Sequence, residues 1–192
     1  MLLAAGGSTR LGSPKQLLEF NGNRLLFNTV QAASAAKANP LIVVLGSNAQ
    51  LLMPEIDKEN ALIVVNKNWT NGMASSINAG LKFLAEKYPA VDGVIFMMCD
   101  QPFVTTSLLN ELVLTQQQTG KPIVASSYNN VLGAPAIFHK SFFPKLLQLK
   151  GDKGARMIIQ HHVEEVATVV FLKGDIDIDT TEDYERLLNS QA

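Results

Sequence analysis

Uninterrupted apolar runs constrain this chain more than any other feature. They fall at residues 2–5, 41–45, 62–65 and 94–99. A strand that is wet on one face alternates apolar and polar residues, whereas one apolar throughout belongs to a sheet covered on both faces. Between the runs lie stretches with helical spacing, such as Leu26, Val30 and Ala33, and Ile77, Leu81 and Leu84. Buried strands alternating with helices predict a parallel α/β sheet. The apolar start at Met1 is short for a central strand, which usually has about 5–6 residues, so further apolar residues are expected ahead of it.

Other elements follow from local signals. Asn21-Gly22-Asn23 between apolar flanks predicts a tight turn, and a helix from Leu26 should end before Pro40. A short helix is expected over 50–57. Thr105 or Thr106 should cap a helix that Gly120 stops near 119. Strands are expected at 123–125 and 166–172, a short buried helix at 142–149, and a last helix behind the Thr180/Asp183 capping pair. No repeat or linker is evident.

Composition closes off several function classes. The 192 residues are 47% hydrophobic and 17% charged, an ordinary globular balance. A net charge of −1 without a long basic run argues against a nucleic-acid groove. Cys99, the single cysteine, excludes an internal disulfide framework and suits a reducing cytoplasm. No apolar run approaches the roughly 18 residues needed to span a bilayer, and no basic region opens a secretory signal. The expectation is a soluble cytoplasmic protein with no membrane or nucleic-acid partner.

The first run leads into Ala5-Gly6-Gly7-Ser8-Thr9-Arg10-Leu11-Gly12-Ser13-Pro14-Lys15. Glycines allow close approach to the backbone, and successive N–H groups in such a turn form an anion-binding concavity. Arg10 and Lys15 add positive charge beside it, so the stretch reads as a triphosphate or pyrophosphate cradle. It fits neither the P-loop, where Lys follows the second glycine directly, nor the G-x-G-x-x-G fingerprint. A flexible surface loop with chance cations has the same composition.

Two further stretches stand at strand ends. Asn66 to Ile77 follows the third run and opens a helix near Met73, at the sheet edge where open α/β proteins bind ligands. Ser75 and Ser76 sit in its first turn with N–H groups and hydroxyls to offer; the plainer alternative is a βα loop capped by Asn71. Cys99-Asp100-Gln101-Pro102 closes the fourth run. A rigid strand aims Asp100 into the ligand crevice, which suits a metal ligand as well as a turn residue. His139, His161 and His162 lack partners at ligand spacing, so a zinc site is not expected.

Leu3-Ala4-Ala5-Gly6-Gly7-Ser8-Thr9-Arg10-Leu11-Gly12-Ser13-Pro14-Lys15-Gln16-Leu17-Leu18 resembles the signature of nucleotidyltransferases related to the molybdenum cofactor cytidylyl- and guanylyltransferases. Leu11 replaces the family's usual Met. Asn66-x-x-Trp69-x-x-Gly72-Met73-x-x-Ser76-Ile77 is similar to the family's base-and-ribose loop, and Cys99-Asp100-x-Pro102 to its metal-binding turn. Gly133-x-Pro135-x-x-Phe138, Gly151-Asp152-x-Gly154-Ala155-Arg156 and the run 177–183 follow in the family's order, with Thr181 where proline is usual.

The resemblance implies a single nucleotidyltransferase domain over 1–192, a three-layer Rossmann-like mixed and mostly parallel sheet with helices on both faces. The nucleotide half would be about 1–102 and the acceptor half about 103–192. It implies Leu3, Ala4, Ala5, Gly6, Gly7, Ser8, Gly72, Met73, Ser75 and Ser76 for nucleotide binding, and Gly133, Pro135 and Lys153 or Arg156 for the acceptor. Mg²⁺ would be held by Asp100 and one of Asp177 and Asp179, of which Asp179 is preferred, the other serving capping or solubility. Arg10, Lys15 and Asp100 are the catalytic candidates. Leu-Ala-Ala-Gly leans toward CTP. The implied acceptor is a small phosphate-bearing molecule such as molybdopterin, with contact to a molybdoenzyme during delivery. Guanylyl or sugar-phosphate transfer on the same fold, and a non-catalytic nucleotide-binding maturation factor, are the alternatives.

Such chemistry needs few proton transfers, because the attacking phosphate oxygen is already an anion. Charge neutralisation and in-line positioning dominate. Backbone N–H groups at 5–8 would hold phosphate oxygens, Arg10 would bridge the outer phosphates, and Lys15 would meet the α-phosphate. At an effective dielectric of about 20, a unit-charge contact at ~4 Å is worth about 4 kcal/mol, against about 1 kcal/mol for a neutral hydrogen bond.

Overall fold

The computed structural model describes residues 1–56 and 61–189. In chain order the strands are β1 (Leu2–Ala4), β2 (Glu19–Phe20), β3 (Asn23–Arg24), β4 (Ile42–Leu45), β5 (Leu62–Val65), β6 (Gly93–Met98), β7 (Ile123–Tyr128), β8 (Val131–His139) and β9 (Val166–Val170). The helices are α1 (Leu25–Ser34), α2 (Ala49–Leu52), α3 (Met73–Lys87), α4 (Thr106–Thr119), α5 (Phe143–Leu147), α6 (Arg156–His161) and α7 (Thr181–Asn189).

Seven strands form the main sheet in the order β5-β4-β1-β6-β8-β7-β9, and β2 with β3 makes the hairpin expected around Asn21-Gly22. β8 runs antiparallel to β6 and β7, while the other main-sheet pairings are parallel. The sheet is therefore the mixed, mostly parallel one expected.

The apolar runs earn their composition by facing two cores. Leu2, Val43, Leu45, Ile95 and Met97 point to one face, against Leu26 and Val30 of α1, Leu109 and Leu112 of α4 and Leu187 of α7. Their neighbours Leu3, Ile42, Val44, Val94 and Phe96 point to the other, against Ile77, Leu81 and Leu84 of α3 and Leu146 of α5. Successive side chains on a strand alternate faces, so a run covered on both sides has no place for a polar residue. Each fully buried Leu or Ile contributes about 1.5–3 kcal/mol.

Several boundaries differ from expectation. α1 ends at Ser34, and the following turn is held by Lys37 N–H donating to Asn110 Oδ1 at 2.8 Å. The expected helix over 50–57 is one α turn followed by a 3₁₀ turn at Met53–Glu55, and residue 57 lies outside the described residues. β7 continues past Ala125 to Tyr128 because β8 pairs with it through a bulge at Ala125/Ser126. Thr105 is the residue that caps α4, its side chain accepting from Leu108 N–H. Asp183 Oδ2 accepts from Thr180 N–H at 2.9 Å and Asp183 N–H donates to Thr180 Oγ1 at 3.2 Å, completing the capping box of α7.

β1 is the pivot. The chain passes from it through α1 to β4 and β5 on one side, and then crosses back to β6 on the other. Strand order reverses between β1 and β6, and the crevice beyond the carboxyl ends of such neighbours is where open α/β sheets take ligands. The loops that open there are 5–15 and 99–105.

Candidate active site

The loop after β1 is shaped from its far end. Gln16, 1% exposed, donates through Nε2 to the carbonyls of Ala4 at 3.1 Å and Gly6 at 3.2 Å. Ser8 takes a left-handed φ of 49°, accepts at Oγ from Lys15 N–H at 3.0 Å, and its carbonyl receives Leu11 N–H. The 3₁₀ turn Lys15–Leu17 then aims the Lys15 side chain across the mouth of the sheet.

There it meets the acids. Lys15 Nζ lies 2.6 Å from Asp100 Oδ2 and 3.0 Å from Asp179 Oδ1, and an Arg10 guanidinium nitrogen lies 2.8 Å from Asp179 Oδ2. The Lys15 and Asp100 side chains are only 15% and 14% exposed, while Arg10 reaches into solvent. Burial works against the charged Lys15 ammonium, but Asp100 and Asp179 outweigh it and hold its pKa above the ordinary lysine value. Burial would also raise Asp179, yet hydrogen bonds and charge from Lys15 and Arg10 keep it below the usual carboxylate range.

Ile178 organises the carboxyl-terminal contribution. It is fully buried, and its N–H donates to the Asp100 carbonyl at 3.1 Å, tying the segment to the end of β6. Asp179 faces the cleft of loop 5–15, whereas Asp177 lines a second cavity. Asp177, expected to serve capping or solubility, is solvent-exposed at the rim of that cavity, and desolvation there, followed by the charges of Asp100 and Asp179, pushes its carboxyl up to about 6.

The first cleft, about 540 Å³, is lined by Leu3, Ala4, Ala5, Gly6 and Gly7 on one wall and by Gly72, Met73 and Ser76 on the other. Arg10, Lys15, Asp100 and Asp179 close one end. Ser8 and Ser75 do not line it. Ser8 is turned inward on Lys15 and Gln16, and Ser75 Oγ, accepting from Asn66, has the carbonyls of Asn68 and Gly72 as alternative acceptors for its one proton. Thr9, Gln16, Trp69, Thr70 and Asp152 join the lining without having been singled out as ligand residues. Little in the sequence signals Gln16, which follows a charged lysine; its burial rests on its amide finding the Ala4 and Gly6 carbonyls as partners.

The second cavity, about 260 Å³, is mostly apolar, with Met73, Ile77, Phe96, Met98 and Phe138 around Asp100, Gln101, Tyr128, Arg156 and Asp177. Gly133 lines it and lies so close to the Tyr128 hydroxyl that a Cβ would fall 2.3 Å from it. Arg156 reaches this cavity; Lys153 is exposed and lines neither space, and Pro135 presents its carbonyl to Ser126 Oγ at 2.7 Å instead. The Gly151-Asp152 turn docks on the start of α3, where Ala74 N–H donates to Gly151 O at 3.0 Å. Asp100 and Met73 line both spaces, so they share a wall.

A divalent cation fits the acid pair. Oxygens from two separate elements converge on one cationic nitrogen, and Mg²⁺ is commonly held by one or two carboxylates together with substrate phosphates. Among the described residues no group of three or more His, Cys, Asp or Glu side chains forms a metal cage by itself. The histidines make local contacts: His139 with Ser141, His161 with the Met157 carbonyl, and His162 with Glu165. Among the described residues no helix is long and apolar enough to cross a membrane.

A mixed seven-stranded sheet with this crevice at its strand-order reversal has the nucleotide-diphospho-sugar transferase architecture, and the protein is a nucleotidyltransferase. The chain belongs to the MobA-like NTP transferase domain family, whose profile matches residues 1–166. It is 29% identical over 200 residues to nicotine blue oxidoreductase of Paenarthrobacter nicotinovorans, covering 98% of this chain and 95% of that protein. Purine catabolism protein PucB of Bacillus subtilis is 28% identical over 203 residues, covering 100% and 96%. Rv0371c from Mycobacterium tuberculosis superposes with a TM-score of 0.84 at 30% identity, over 98% of this chain and 95% of that one. A further crystal structure of Rv0371c is a complex with manganese, similar to this chain at 28% identity with a TM-score of 0.79, covering 98% and 96%.

Proposed function

We propose that the chain transfers a nucleoside monophosphate, with CTP as the favoured donor, to a small phosphate-bearing acceptor of the molybdopterin type and releases pyrophosphate. The observation that carries this reading is the cluster of Arg10, Lys15, Asp100 and Asp179 facing the glycine loop, with the Asp100 wall shared between two cavities. A donor triphosphate in the first cleft and an acceptor in the second would bring their reacting phosphates together beside Asp100. The nucleotide half would be about 1–102 and the acceptor half about 103–192, although residues of both halves line the second cavity.

Backbone N–H groups at 5–8 would hold the triphosphate oxygens, with Arg10 on the outer phosphates. Lys15, whose ammonium sits between two acids, would move onto the α-phosphate and meet the negative charge that builds there. Leu3, Ala4 and Ala5 would offer the base-reading edge, and Gly72, Met73 and Ser76 the opposite wall. In the second cavity Gly133 and Arg156 would receive the acceptor, Arg156 meeting its phosphate. Asp100 and Asp179 would hold Mg²⁺, which supplies charge neutralisation and a template for the phosphates when bound. The manganese complex of Rv0371c supports divalent-metal use in this reading. The protein would act in the cytoplasm and meet a molybdoenzyme at delivery.

The test is pyrophosphate release from CTP, GTP and ATP, each with molybdopterin and with sugar phosphates. Release with CTP and molybdopterin supports the reading. Preference for GTP or a sugar phosphate moves the activity within the fold. Nucleotide binding without pyrophosphate from any acceptor would leave a binding factor, and oxidation or reduction of nicotine blue would move the chain to the role named for the Paenarthrobacter relative.

A further inference from the structure

We infer that Lys15 is an internal stand-in for the divalent cation, so that the acid pair accepts metal only when a nucleotide triphosphate draws the lysine away. This rests on the reading of the cluster as a nucleotidyl-transfer site. The Lys15 ammonium bonds Asp100 and Asp179 together, at 2.6 and 3.0 Å, and thereby takes the position where oxygens from both acids converge. Arg10 occupies the second oxygen of Asp179. Two cations are thus matched to two carboxylates, and a divalent ion arriving alone must break the Lys15 hydrogen bonds, which are partly shielded from water, as well as compete with the exposed Arg10 contact.

An arriving triphosphate changes that balance. It offers Lys15 and Arg10 new anionic partners on the wall formed by loop 5–15, so both acids lose their internal cations as the phosphates enter. The ion and the nucleotide then bind with positive coupling, and by linkage each raises the affinity for the other by the same factor. The Lys15 backbone is fixed by its N–H bond to Ser8 Oγ, so the exchange requires only the side chain to swing between the acids and the phosphates. Lys15 accordingly has two positions in one cycle, on the acids before loading and on phosphate after it.

Mn²⁺ serves as the probe, its free concentration read by electron paramagnetic resonance. The unaltered protein is expected to bind Mn²⁺ weakly alone and, in the presence of a non-hydrolysable CTP analogue, to retain more Mn²⁺ than the analogue and the protein do separately. Lys15→Met should bind Mn²⁺ without nucleotide about 10-fold more tightly or better, since a unit charge at contact distance has been removed. Lys15→Arg, which keeps the charge, should stay weak, and Asp179→Asn in the Lys15→Met background should lose the gain. Tight Mn²⁺ binding by the unaltered protein without nucleotide, abolished by Asp179→Asn, would overturn the proposal whether or not the Met variant folds; so would a well-folded Lys15→Met with unchanged affinity. Failure of the transfer reading shows separately, as absence of pyrophosphate in the unaltered protein.

Discussion

The carboxylates of Asp177 and Asp179 are separated by one buried isoleucine and line different spaces: Asp179 is bonded to Lys15 and Arg10 in the cleft of loop 5–15, and Asp177 lines the apolar cavity beyond Asp100. Ile178 between them is fully buried and its N–H donates to the Asp100 carbonyl, which holds the segment beside the end of β6. The consequences can be measured for each acid.

Lys15→Ala and Asp100→Asn should each reduce turnover by roughly 10²-fold or more, the scale of a lost transition-state donor. Pyrophosphate release at saturating donor checks this. A near-parental rate in either variant would remove the substituted residue from the chemistry and overturn the assignment of the cluster.

Asp177 should give a stability effect with an unusual sign. Its folded pKa, about 6, lies above the ordinary 3.8, so the folded state holds this proton more tightly than the unfolded chain does. Its contribution is therefore most favourable below pH 4 and declines as pH rises through 6. Asp177→Asn should raise Tm relative to the parent at pH 7–8 and leave it nearly unchanged at pH 4. A larger gain at the acidic end would contradict the assignment.

Gly72 is predicted to tolerate no side chain. Its φ is +88°, and a Cβ would fall 2.4 Å from the Gly151 carbonyl carbon and 2.6 Å from Asp152 Oδ1. Gly72→Ala should cost about 1–3 kcal/mol through backbone strain and displaced contacts, read in urea unfolding. Because Gly72 and Asp152 line the cleft, nucleotide affinity should fall with it.

Trp69 should report on nucleotide. It is the single tryptophan, it lines the cleft, and its ring is 3.3 Å from where a Gly7 Cβ would stand. CTP titration should change its fluorescence, and an unchanged spectrum under saturating nucleotide would place the base and phosphates elsewhere.

Cys99 should resist thiol reagents in the native protein. Burial first, and then the Asp100 charge, pushes its thiol up to about 12, so almost no thiolate exists at neutral pH. Reaction with a chromogenic disulfide should follow unfolding; a rapid native-state reaction would contradict the burial.

The sequence alone determined the covered sheet, its main helices, the turn at Asn21-Gly22 and the order of the motifs. These are local matters: a strand with no polar residue must be covered on both faces, and a Thr, Gly or Asn sets its own neighbours' backbone. It also brought forward Arg10, Lys15 and Asp100, because charge beside glycines or at a strand end is visible in one dimension. The tertiary structure decided what distance along the chain conceals. Lys15 and Asp179 are brought to 3.0 Å from opposite ends of the molecule, and nothing in either neighbourhood encodes that contact. The same holds for Asp177 and Asp179, which line different cavities although one residue separates them, because each cavity is walled by side chains distant in the chain. Ser75 and Ser8 show the converse. Their hydroxyls suit a phosphate site by type, but backbone groups within the folded loops claimed them first.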